Sequence, residues 1–172
     1  MTSPVISLIG GESTGKSHLA AALAQRWDAA IAEDQTRAFV NAHQRTPLLE
    51  DQAALFEQQA AAITAALRTN APVVIADPDP FMTAVYSLVY FNNDELTSAG
   101  LASLTAARVV VWCRPDIPWE ADGMMRDGET VRAATDAVIA TLLRQTSATV
   151  IETSNERTTH PGWVPDLGAF LP

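Results

Sequence analysis

Gly10-Gly11-Glu12-Ser13-Thr14-Gly15-Lys16-Ser17 matches every fixed position of G-x-x-x-x-G-K-[ST], the phosphate-binding loop pattern. An apolar run, Val5-Ile6-Ser7-Leu8-Ile9, leads into it, and an Ala/Leu-rich helical pattern from His18 to Arg26 leads out. The setting is strand, loop, helix. Glycines at 10, 11 and 15 let the backbone turn tightly, so that its N–H groups converge on phosphate oxygens at a helix N-terminus. Lys16 adds a point charge for the β- and γ-phosphates, and the Ser17 hydroxyl can ligate Mg²⁺. With Glu12, Ser13, Thr14 and His18 they form a candidate nucleotide site, and ATP with Mg²⁺ is the expected cofactor pair.

Outward from the loop, short apolar runs alternate with helical patterns. The runs are Val5–Ile9, a weak Ala29–Ala32, Val73–Ala76, Val109–Cys113 and Thr149–Ile151. Continuous runs of this kind suit strands buried on both faces of a parallel sheet. Phe56, Ala60, Ile63 and Leu67 make one apolar helical stripe, as do Val131, Val138 and Leu142. Phe81 to Phe91 is a further helical segment, with Pro80 suited to its first turn. The alternation predicts a three-layer α/β fold of the P-loop NTPase type, with about five mostly parallel strands and helices on both faces. A single domain over residues 1–172 is expected.

Ligands of such sheets collect at the carboxyl ends of the strands. Asp77 ends the run Pro72-Val73-Val74-Ile75-Ala76, where a carboxylate can hold Mg²⁺ or take a proton from an attacking hydroxyl. An Asp before Pro78 also suits a plain turn. Asp79 can bind a substrate hydroxyl or cap the helix that starts at Pro80. Glu33, Asp34 and Arg37 follow the second strand. They can grip an acceptor substrate, or Asp34 can cap a helix that carries a solvated Arg37.

With 20 acidic and 11 basic residues the chain carries a net charge of −9, against nonspecific nucleic-acid binding. No apolar stretch approaches the ~18 residues that span a bilayer, and Met1-Thr2-Ser3-Pro4 lacks a signal-peptide layout. The lone Cys113 ends an apolar run and reads as a small core residue. A cytoplasmic protein acting on a small molecule is the expectation.

In so acidic a chain, Arg114, Arg126 and Arg132 stand out. The stretch from Arg114 to Arg126, punctuated by Pro115, Pro118 and Gly123, reads as part of a lid over about residues 114–132. A mobile arginine there can close on charge that develops during phosphoryl transfer. Arg126 and Arg132 are the candidates. Trp119 can stack on a ring or simply pack.

Together these motifs resemble the ribosylnicotinamide kinase domain of NadR-type proteins and its small ATPase/kinase relatives. The glutamate after the loop glycines, Asp34-Gln35-Thr36-Arg37, Asp77-Pro78-Asp79, Pro115-Asp116-Ile117-Pro118-Trp119 with Asp122-Gly123 and Arg126, and Ser154-Asn155-Glu156-Arg157 carry the likeness. Gln35 stands where the family has an aromatic residue, and the next aromatic is Phe39. The resemblance implies transfer of the ATP γ-phosphoryl group to the 5′-hydroxyl of nicotinamide riboside. It also implies that Ser154, Asn155 and Arg157 border the adenine, with Arg114 and Arg126 on the nucleotide. Trp119 and Asp122 would then lie with the acceptor.

Overall fold

The computed structural model describes residues 2–119, 128–153 and 167–170. Five strands form one sheet: β1 Val5–Ile9, β2 Ala30–Ala32, β3 Val74–Ala76, β4 Val109–Cys113 and β5 Val150–Thr153. Their order is β2-β3-β1-β4-β5, and every pairing is parallel. The order places β1, and the loop that leaves it, at the centre of the sheet.

Six helices cover the strands: α1 Lys16–Trp27, α2 Gln35–His43, α3 Gln52–Leu67, α4 Phe81–Phe91, α5 Thr97–Ala106 and α6 Glu129–Leu143. Side chains alternate across a strand, so each central strand feeds two cores. Ile6, Leu8, Val109 and Val111 meet Leu19, Ala20 and Leu23 of α1 on one face, with Leu167 and Phe170 beside them. On the other face Ile9, Val110 and Trp112 meet Phe81, Met82 and Val85 of α4 and Ile139 and Leu142 of α6. Ala32 and Val74 continue that face under Ala66 of α3. The expected strands and the three-layer plan are thus present. Among the described residues, no helix is long and apolar enough to cross a membrane.

Helix α2 bears out the helix cap that Asp34 offers in the sequence, and helix α5 is an addition to the sequence reading. Helix α2 starts where Asp34 accepts hydrogen bonds from the N–H groups of Thr36 and Arg37, at 2.9 and 3.1 Å. Helix α5 contains Gly100, which lets it approach α4 closely. A Cβ at that position would stand 3.0 Å from Ala84 Cβ and 3.3 Å from Phe81 Cα.

Candidate active site

The loop between β1 and α1 owes its shape to two glycines. Gly10 has φ +142°, and a Cβ there would lie 2.4 Å from the Cys113 carbonyl oxygen. Any side chain would drive β1 and β4 apart. Gly15 at φ +81° sits at the N-cap of α1, in the left-handed region that other residues enter at a cost. Thr14 pins the turn by donating to the Gly11 carbonyl at 2.9 Å. Lys16 folds back along the loop and donates from Nζ to the carbonyls of Gly10 and Gly11, at 2.7 and 2.6 Å. Desolvation lowers its pKa, against the pull of nearby groups that include Asp77, Asp34 and Glu12.

A cavity of about 760 Å³ opens from this loop. Glu12, Ser13, Gly15, Lys16, Ser17 and His18 of the loop and the start of α1 line it, together with Asp34, Arg37 and Asp77. The lining from α2, the start of α3 and α4 is largely apolar, with Val40, Leu48, Leu55, Met82, Tyr86 and Tyr90. The expected carboxyl-end crevice therefore exists, and Gly10, Gly11 and Thr14 form the loop behind its wall.

Asp77 is buried at the end of β3. Burial raises its pKa above the usual carboxylate range, opposed by Lys16, by a hydrogen bond from Ser17 and by Arg37. The contact with Ser17 joins two oxygen donors at the mouth of the phosphate loop. Such a pair fits Mg²⁺, which takes few protein ligands and completes its shell with phosphates and water. Among the described residues no group of three His, Cys, Asp or Glu side chains could hold a metal by itself.

Several sequence expectations need correction. Of the two roles open to Asp79, helix capping is the one present, and substrate binding does not fit a residue 1% exposed and absent from the cavity wall. Its carboxylate accepts from Ser7 of β1, from Ser103 of α5 and, at 2.9 Å, from the Phe81 N–H. It caps α4 from within the core. Glu33 is exposed and outside the cavity lining, and its carbonyl accepts from Gln35 and Gln59.

Arg114 is not part of the cavity lining at the phosphate loop. It donates to Glu152 at 2.8 Å and Asp136 at 3.0 Å, and its guanidinium lies 4.1 Å from the Trp112 ring centroid. It lines a smaller, separate cleft with Pro115, Asp116 and Thr153. Arg132, expected in a mobile lid, is 3% exposed on α6. Trp119 lies outside the cavity lining, with a buried indole N–H that has no partner among the described residues. Cys113 is a core residue as expected, its thiol pushed up to about 12 by burial. Asp122, Arg126, Ser154, Asn155 and Arg157 lie outside the described residues.

The sequence reading missed two glutamines on α3. Gln59 is buried; its Oε1 accepts from the Gln35 N–H at 2.9 Å and its Nε2 donates to Glu33 O at 3.2 Å, which fixes the end of β2. Gln52 is buried against the cavity and donates to Leu48 O at 3.2 Å. Both sit on the apolar stripe of α3, each one turn from Phe56, and a polar residue on such a stripe was the available signal. The apolar wall of Val40, Leu55, Met82 and Tyr86 carried no comparable signal, since those residues read as ordinary core.

A model of the AAA domain family matches residues 5–159. The chain belongs to the AAA domain family. No curated protein sequence matches it. Among solved structures, NadR protein in complex with NR is similar at 20% identity and a TM-score of 0.75, over 92% of this chain and 46% of the other. NadR in complex with NAD and AMP-PNP gives 20% and 0.72, over 90% and 45%. The chain thus spans about half the length of the NadR chains. Shikimate kinase from Acinetobacter baumannii, in complex with shikimate, is 13% identical with a TM-score of 0.52, over 94% and 89%. The fold is that of the P-loop NTPase kinases.

Proposed function

We propose that this protein is an ATP-dependent small-molecule kinase whose acceptor is the 5′-hydroxyl of nicotinamide riboside, giving nicotinamide mononucleotide. One observation carries the reading: a single cavity joins the phosphate loop, the Ser17–Asp77 pair and an apolar compartment with two tyrosines. A nucleotide-dependent switch needs the first two and has no use for the third. The NadR structures, one of which holds NR, support the choice of acceptor.

In this reading Lys16 leaves its loop carbonyls for the β- and γ-phosphate oxygens, and the loop N–H groups take the rest of that charge. Ser17 and Asp77 would hold Mg²⁺, which when bound offsets charge on the phosphates. Asp77, its pKa raised by burial, is also placed to accept the acceptor hydroxyl's proton. The freed oxygen attacks the γ-phosphorus, the bond from that phosphorus to the β–γ bridging oxygen breaks, and ADP leaves. Asp34 and Arg37 take sugar hydroxyls, and Tyr86 and Tyr90 flank the flat ring. The segment that carries Asp122 and Arg126 serves as the lid, with Arg126 bearing on the transferring group and Asp122 on the acceptor. Ser154, Asn155 and Arg157 border the adenine.

Screening nucleosides for stimulated ADP release tests the acceptor. Nicotinamide riboside is expected to stimulate most. Slow ATP hydrolysis that no nucleoside changes would favour a regulatory ATP-binding module, and stronger stimulation by another nucleoside would reassign the acceptor within the same fold.

A further inference from the structure

We infer that Arg132 is a positioning residue for nucleotide binding, a clasp that holds the phosphate loop and the segment after β4 in one fixed relation. The inference rests on reading residues 10–17 as the nucleotide site. Arg132 is 3% exposed, although arginine is among the residues least often buried. Its guanidinium spends its donors on main chain. Nη1 donates to the Ser13 carbonyl at 3.2 Å and to the Ile117 carbonyl at 2.8 Å. Nη2 donates to Glu129, whose side chain is largely exposed, at 3.2 Å. The stem of Arg132 packs behind the loop, where a Cβ on Gly11 would lie 3.5 Å from Arg132 Cγ.

The Ser13 contact matters most. Ser13 has φ +52°, a left-handed conformation that a non-glycine residue holds only when its surroundings fix it. In a planar trans peptide the carbonyl of one residue and the N–H of the next point in opposite directions. A guanidinium on Ser13 O therefore turns the Thr14 N–H away from α6, to the side where Ser13, Gly15 and Lys16 line the cavity. A charged donor on the carbonyl also polarises that peptide and strengthens its N–H as a donor. Through Ile117, which lines the same cavity, the one side chain sets the loop against the start of the post-β4 segment. Nη1 alone holds both carbonyls while Nη2 of the same plane is fixed on Glu129, and an ammonium on a flexible stem cannot reproduce that reach and orientation.

Isothermal titration of Mg·ADP and of AMP into wild type, Arg132→Lys, Arg132→Gln and Glu129→Gln tests the clasp. Wild type that binds no ADP would refute the nucleotide site itself, and the clasp with it. Given wild-type binding, Arg132→Lys is expected to lose about tenfold or more in ADP affinity. AMP, which places no second phosphate on the loop, should stay within about twofold. Glu129→Gln should match wild type for both. ADP affinity within about twofold of wild type in Arg132→Lys, or ADP and AMP affinities falling in step, would overturn the clasp. Arg132→Gln, if it folds, should lose at least as much ADP affinity as the lysine variant, and a smaller loss would equally overturn it.

Discussion

Lys16 donates to the carbonyls of Gly10 and Gly11, with its ammonium desolvated and folded back along the turn. In the proposed reaction its Nζ exchanges those carbonyls for phosphate oxygens. Lys16→Ala is expected to abolish turnover and to weaken ATP binding with the fold intact; activity within about threefold of wild type would refute the assignment. Asp77→Asn should lower the rate by roughly two orders of magnitude or more, while nucleotide affinity without Mg²⁺ barely changes. Equal losses of affinity with and without Mg²⁺ would make Asp77 structural. Asp79 shows where the sequence stops informing at this scale. Asp77 and Asp79 flank one proline and look alike as letters, yet one faces the cavity and the other is enclosed by Ser7, Ser103 and the start of α4. Those partners come from β1 and α5, and no local pattern announces them.

Helices α4 and α5 show how one small residue sets the spacing of two elements. Gly100 lets α5 sit against Ala84 and Phe81, so Gly100→Val should wedge the pair apart and cost roughly 1–3 kcal/mol, measured by urea denaturation. An unchanged midpoint would show that the contact is soft. The connection from α2 to α3 is stapled differently. Arg45 donates to both carboxylate oxygens of Asp51, at 2.6 and 3.1 Å, and the Leu48 N–H donates to the same group at 2.7 Å. These bonds hold the Asp51 carboxyl below its ordinary range. A depressed folded-state pKa stabilises the fold above the ordinary carboxyl pKa, and that stability is lost as pH falls through the folded value. The stability gap between wild type and Asp51→Asn should therefore narrow on acidification, and a constant gap would contradict this account. Helix α4 was legible because its apolar residues are dense and Pro80 marks its start. Helix α5, Thr-Ser-Ala-Gly-Leu-Ala-Ser-Leu-Thr-Ala, carries a glycine and small polar residues, and only its contact with α4 makes it a helix worth forming.

Across the whole molecule, the order β2-β3-β1-β4-β5 brings the ends of β1, β2 and β3 to one cavity. That much could be read from the chain, because buried parallel strands appear as apolar runs and the phosphate loop marks the functional edge of the sheet. The apolar part of that cavity could not. Its wall combines Val40 from α2, Leu48 and Leu55 from around the start of α3, and Tyr86 and Tyr90 from α4, which converge only once the helices pack. In the proposed reaction this apolar wall and the phosphate loop serve one phosphoryl transfer. The most direct measurement follows product formation by phosphorus NMR, with wild type, Mg·ATP and nicotinamide riboside. The account predicts ADP and a 5′-phosphorylated nucleoside in equal amounts, with both lost together in Asp77→Asn. ADP accumulating with inorganic phosphate alone, at a rate indifferent to the nucleoside, would contradict it.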